Sequence, residues 1–211
     1  RDREAFQEVD YRQMYAPLAK WVAEIARIDR IPEYVSRAFH VAVSGRPGPV
    51  VLSLPEDMLS ATADVLDALP ANPARQMICG ESICQVIDRL KSADRPFVIV
   101  GGSSWSSEAA QNLGKFAAAL GLPVGASFRC QDYLDNRHPN YVGDVAIAPN
   151  PELAEQVRNS DCLLVLGARL GEMTSSGYSL FDVPNPKQGL IHIHADVDEI
   201  GRVYRPEIGL A

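Results

Sequence analysis

Three short stretches of this sequence carry side chains suited to chemistry. Gly101-Gly102-Ser103-Ser104-Trp105-Ser106 joins two glycines, which let backbone approach a ligand closely, to serines able to cap a following helix. The free amides of a helix start attract anions such as a diphosphate. The stretch is not GxGxxG, so a nucleotide phosphate site and a plain tight turn with helix caps both fit it. Gly167-Ala168-Arg169 follows the most apolar run of the chain. An arginine there offers a planar fork to phosphate, carboxylate or an aromatic ring. The alternative is a salt bridge at the domain surface; the Gly- and Ser-rich stretch from Gly171 to Gly177 favours the ligand role. His192-Ile193-His194-Ala195-Asp196-Val197-Asp198 would set two imidazoles and two carboxylates on one face if a strand ran its whole length. Asp198-Glu199-Ile200-Gly201 reads instead as a helix opening with acids at its start, so the strand ends near residue 195 and no metal site is assigned. Asp196 is then left to accept a ribose hydroxyl or to cap the helix.

No reaction machinery accompanies this crevice chemistry. The sequence has no GxSxG elbow, HExxH, P-loop or EF-hand pattern, and Cys79, Cys84, Cys130 and Cys162 form no CxxC and carry no catalytic signature. They read as reduced thiols of a cytoplasmic protein. His40, in an apolar helix, and His138, before Pro139, are assigned structural roles. No catalytic residue is assigned.

The elements needed to hold these stretches alternate helix and strand. Val35, Ala38, Phe39, Ala42 and Val43 recur at helical spacing up to Gly45, and Val50-Val51-Leu52-Ser53-Leu54 reads as a strand buried on both faces. Residues 60–80, with the breakers of Leu69-Pro70-Ala71-Asn72-Pro73 near their end, have no sustained period and read as a linker. Beyond it, Ile83, Val86, Ile87 and Leu90 make a helix face before the strand Phe97 to Val100. Leu113, Phe116, Ala117 and Leu120 form a second helix stripe, stopped at Gly121. A short strand from Val124 to Ser127, a long loop, a helix over 151–158, the strand from Cys162, a second long loop, the strand Leu190 to His194 and a last strand starting at Ile208 complete the pattern. Helices alternating with wholly apolar strands predict an α/β fold with a doubly wound parallel sheet, and ligands in such sheets sit beyond the carboxyl ends of the strands.

Composition sets outer bounds. The chain has 211 residues, 46% hydrophobic and 22% charged, with a formal net charge of −7. That is globular composition, and it disfavours a surface built on nucleic-acid phosphates. No apolar run approaches the roughly 20 residues of a membrane span, and Arg1-Asp2-Arg3-Glu4 is no signal peptide. A start without Met, within a run of charges, is expected of a piece of a longer protein.

Other residues carry a family resemblance. Ala5-Phe6-Gln7-Glu8-Val9-Asp10, Lys20-Trp21 and Ser44-Gly45-Arg46-Pro47-Gly48-Pro49-Val50-Val51-Leu52-Ser53-Leu54-Pro55-Glu56-Asp57 resemble the end of the pyrimidine-binding domain of thiamine diphosphate enzymes related to acetolactate synthase. From Arg95 on, the Gly-Gly turn, His138-Pro139-Asn140-Tyr141-Val142-Gly143, the run Asp161 to Arg169 and Glu199-Ile200-Gly201 are similar to the central domain of the same enzymes, which is Rossmann-like. The resemblance implies that residues 1–59 close a pyrimidine-binding domain, 60–80 link, and 81–211 form the central domain.

It also implies that the whole protein acts on a 2-keto acid as a carboligase or decarboxylase, with thiamine diphosphate and Mg2+ held by residues outside this chain, and assembles as a homodimer or homotetramer. The family's GDG motif is absent, since Gly143-Asp144 is followed by Val145. Phe6, Gln7 and Lys20 match positions near the substrate channel, where a lysine suits a carboxylate; packing and surface charge are the plainer alternatives. Gly101, Gly102, Ser103, Gly167, Arg169 and Asp196 fall on or beside the family's nucleotide-contact positions. FAD, ADP or no nucleotide all occur at this domain. Ser103 in place of a third glycine, Gly143-Asp144-Val145-Ala146 in place of a Gly-Met-His-Gly loop and His194 in place of an aspartate favour a vestigial or structural crevice over FAD. The competing readings are a freestanding nucleotide-binding module and a pure interaction element.

Overall fold

The computed structural model describes residues 3–72, 76–103 and 105–211. Arg1, Asp2, Pro73 and Ser104, named above, lie outside the described residues. Two compact units divide the chain, Arg1–Arg75 and Gln76–Ala211.

In the first unit, helix α1 (Tyr11–Tyr15) is capped by Asp10, whose carboxylate accepts the Arg12 and Gln13 amides at 3.0 and 3.1 Å. Strands β1 (Trp21–Glu24) and β2 (Val50–Ser53) pair in parallel from Trp21↔Val50 to Glu24↔Ser53. Helix α2 (Ile31–Val43) joins them, and α3 (Glu56–Ser60) follows β2. Trp21 stacks on Tyr34 with centroids 5.8 Å apart, and the Arg37 guanidinium lies 4.3 Å over the Trp21 ring. Two expectations are corrected here. Strand β2 is only partly buried at every position, because among the described residues its one partner is β1. The helical stripe is present in α2, but Val35, Phe39 and Val43 are exposed rather than in a core.

The second unit answers the α/β expectation with helices on both sides of a parallel sheet. Helix α4 (Gly80–Lys91) leads to β3 (Pro96–Val100), α5 (Ser107–Leu120) to β4 (Val124–Ala126), and β5 (Tyr141–Asp144) to α6 (Pro151–Arg158) and β6 (Cys162–Leu166). Strands β7 (Gly189–Ile193) and β8 (Ile208–Leu210) complete a sheet of order β5-β4-β3-β6-β7-β8. Each pairing is parallel.

Alternation along the strands sorts the core. Phe97, Ile99, Leu163 and Val165 face one layer with Leu153 and Val157 of α6, while Val98, Val100 and Leu164 face the other with Val86 and Leu90 of α4 and Leu113 and Ala117 of α5. Local signals set the helix ends: the Ser106 hydroxyl accepts the Ala109 amide at 3.1 Å, Asn150 caps α6 ahead of Pro151, and Gly121 closes α5 with φ +64. Strand β5 lies inside what the sequence presents as a long loop. It is a half-buried edge strand of four residues ending in Gly143-Asp144, so neither an apolar run nor clean alternation announces it.

Candidate functional site at the switch of strand order

Numbered within the unit, the sheet reads 3-2-1-4-5-6, so the chain reverses direction between the neighbours β3 and β6. Loops leaving two adjacent strands toward opposite sides open a crevice there, the ligand position of doubly wound sheets. The register Val100↔Leu166 brings Gly101-Gly102 beside Gly167, and β7, paired to β6, delivers the turn that holds Asp196. All the predicted nucleotide residues of this unit therefore lie at the carboxyl ends of three neighbouring strands.

The glycines serve first to bring these loops together. Gly102 has φ +85, and a Cβ on it would overlap the Gly167 carbonyl oxygen; one on Gly167, with φ +69, would stand 2.6 Å from the Gly101 oxygen. Two aromatic residues fix the turn: Trp105, which lies within the stretch but takes no role from sequence, and Tyr133, which the sequence does not single out. Trp105 Nε1 donates to the Gly101 oxygen at 2.9 Å and the Tyr133 hydroxyl to the Gly102 oxygen at 2.5 Å, while their rings stack at 5.2 Å. Burial and the neighbouring Cys130 raise the Tyr133 phenol above its ordinary pKa, which keeps it a donor. Among the described residues, nothing accepts from the Gly102 and Ser103 amides.

Arg169 is held by its Nε, which donates to Glu199 Oε2 at 2.9 Å, and its side chain stays 43% exposed. The salt bridge weighed as the alternative thus exists, yet it uses one edge of the guanidinium and leaves both Nη groups without a partner among the described residues. Asp196 likewise divides its carboxylate: Oδ1 accepts the Asp198 amide at 3.1 Å, capping the turn Val197–Glu199, and Oδ2 makes no bond to a described residue. Each anchor has one polar atom fixed by the protein and another free. That arrangement suits the diphosphate and ribose of a nucleotide, with the amides and Arg169 as donors and Asp196 as acceptor.

The paired histidines are held by backbone. Strand β7 stops at Ile193; His192 Nε2 lies 2.9 Å from the Ala168 oxygen, and His194 Nδ1 accepts the Asp196 amide at 3.0 Å. Burial pushes the His192 imidazole below its ordinary pKa, against the pull of the Ala168 carbonyl. Among the described residues no group of three or more His, Cys, Asp or Glu could hold a metal ion. Burial also drives the Cys162 thiol up to about 11, which makes it unreactive.

Elsewhere in this unit, an open cleft of about 560 Å3 lies at the opposite, amino ends of β6, β7 and β8. Of its lining residues Arg89 and Glu207 pair at 3.1 Å, and Lys187 pairs at 3.4 Å with Asp182 outside the lining.

In the first unit, Phe6 is 93% exposed and the Gln7 backbone adopts φ +59. Lys20 Nζ donates to the Ser44 and Arg46 carbonyls at 2.5 and 3.0 Å, pinning the turn after α2. No hydrogen bond or ion pair among the described residues joins Phe6, Gln7 and Lys20 to one another. No described helix is long and apolar enough to cross a membrane.

Comparison with known proteins agrees with this architecture. Residues 83–211 match the family model of the thiamine pyrophosphate enzyme central domain. The chain is 28% identical over 211 residues to the acetolactate synthase large subunit of Corynebacterium glutamicum, covering 97% of this chain and 33% of that protein. It is 30% identical over 208 residues to a probable acetolactate synthase large subunit of Methanococcus aeolicus, covering 94% and 34%. For acetolactate synthase isozyme 1 large subunit of Escherichia coli the values are 28% over 209 residues, 98% and 36%. The chain spans about a third of the length of these curated relatives. With a matched segment that contains the whole switch-point sheet, this chain belongs to the thiamine pyrophosphate enzyme central-domain family.

Proposed function

We propose that this chain is part of a thiamine diphosphate- and Mg2+-dependent carboligase or decarboxylase that acts on a 2-keto acid, works in the cytoplasm and assembles as a homodimer or homotetramer. Membership of the central-domain family carries the reading, and the resemblance of residues 1–59 to the end of a pyrimidine-binding domain supports it. Thiamine diphosphate, held outside these residues, supplies the electron sink for cleavage beside a ketone. The contribution of residues 81–211, joined to residues 1–59 by the linker 60–80, is a sheet whose switch point, favoured from sequence as a vestigial or structural crevice, is read instead as a nucleotide site because Arg169 and Asp196 each keep a polar atom without a described partner.

In that site the Gly101, Gly102 and Ser103 turn and Gly167 carry backbone close to the diphosphate of ADP or FAD, Arg169 pairs with its charge, and Asp196 takes a ribose hydroxyl. Phe6, Gln7 and Lys20 remain assigned to the channel wall, Lys20 through the turn it pins rather than through a free charge.

The test uses the intact protein with pyruvate. Release of CO2 that requires both thiamine diphosphate and Mg2+ is the expected result. Turnover indifferent to both, or none with pyruvate and other 2-keto acids, overturns the proposal.

A further inference from the structure

We propose that Glu199 is a positioning residue of the switch-point site, its carboxylate holding Arg169 by Nε so that the Nη edge of the guanidinium is presented to an anionic group of a nucleotide. This assignment rests on the nucleotide reading above.

A carboxylate with only 6% of its side chain exposed must be matched by cations. Glu199 has two, Arg169 at 2.9 Å and Arg202 Nη1 at 3.7 Å, both at Oε2. The trio carries one positive charge in excess, the sign an oxyanion needs. An arginine with one edge fixed to a buried acid and the other in solvent is ordered before a ligand arrives, so less rotamer freedom is lost on binding.

The acid is itself firmly placed. Its amide donates to the Asp196 oxygen at 3.2 Å and its carbonyl accepts the Arg202 amide at 3.3 Å. The backbone entering Arg169 is fixed independently by His192 against the Ala168 oxygen. One turn after β7 thus supplies both Asp196 and the clamp on an arginine that leaves β6, which couples an acceptor and a donor of the site through a single element.

Binding of ADP and FAD to the intact protein tests this, with the Arg169 Nε–H resonance as an independent readout. Glu199→Gln is expected to weaken both nucleotides about tenfold, the size of one charged hydrogen bond. Arg169→Gln should weaken them at least as much, and the double variant no further, because a residue that acts through Arg169 has no effect once Arg169 is gone. The Nε–H should be protected from exchange in the wild type and exposed in Glu199→Gln. Should that variant fail to fold, Glu199→Asp, which retracts the carboxylate by one methylene, carries the same expectations.

A Glu199→Gln loss that persists undiminished without Arg169 overturns the assignment, as does unchanged affinity once the Nε–H has become exposed. A wild type that binds neither nucleotide, with its Nε–H still protected, overturns the nucleotide reading and this role together while leaving the ion pair itself intact.

Discussion

The two units of this chain are built from the same supersecondary grammar and differ in how completely it is carried out. In the second unit six parallel strands are covered on both faces, and Phe97, Val98, Ile99, Leu163 and Val165 have no solvent exposure at all. In the first, two parallel strands share one crossing helix, and the buried apolar residues among those described are Ala23 and Ile25. Parallel strands read as apolar because they expect cover on both faces. The same kind of sequence therefore gives a closed core where neighbouring strands and helices supply that cover, and an open face where they do not. The units differ in how many partners each strand has, and the central strands of the second also carry the longer apolar runs.

The widest gap between them should appear on truncating an aromatic ring in each. Phe97, fully buried in the layer that includes Leu153 and Val157, is expected to lose about 3–5 kcal/mol of stability as Phe97→Ala, read from chemical denaturation of the second unit. A loss below about 1 kcal/mol would mean that this core relaxes around the void, and the contrast with the first unit would fail.

Legibility in the sequence follows the same divide. The second unit was readable because its strands are runs of Val, Ile and Leu between capped helices, and because the carboxyl ends of β3, β6 and β7 are natural ligand positions. Gly101-Gly102, Gly167, Arg169 and Asp196 could be singled out for that reason alone. Their partners could not. Trp105 and Tyr133 are 28 residues apart, and Glu199 reaches Arg169 from 30 residues on; no period or motif links such pairs, which meet only through the strand order. Glu199 stood in plain view as a helix-opening acid, and its low exposure is what reassigns it. Strand β1, ending in Glu24 after one tryptophan, gave too little apolar signal to be noticed, and the apolar stripe of α2 carries no mark in the sequence of whether anything covers it.

A smaller effect separates the units by pH. His192 is buried beside His194 in the second unit, and burial holds its imidazole below the ordinary value of 6.5. The unfolded chain takes up a proton near pH 6.5 and the folded one does not. Above that pH both forms are neutral and His192 adds no pH dependence. As pH falls below it, stability is lost by at most about 1.4 kcal/mol per pH unit for this one group, until the folded-state pKa is also passed. His192→Gln keeps an amide donor near the Ala168 carbonyl and removes the titration, so its stability should fall less steeply between pH 6.5 and the folded-state value. Equal slopes for variant and wild type, followed through the unfolding of the second unit, would place the acid sensitivity in other groups.

The smallest change is expected on the open face of the first unit. Phe39 is 61% exposed between Val35 and Val43, so in a chain of these 211 residues Phe39→Ser removes little buried area, and its stability should stay within about 0.5 kcal/mol of the wild type. The same substitution in the intact polypeptide sharpens the comparison. If residues outside this segment cover the α2 stripe there, the loss should rise to about 2 kcal/mol, toward the value of a buried aromatic ring. An undiminished stability in both settings would instead make the stripe a true solvent face, and the apolar periodicity of α2 would then need a reason other than packing.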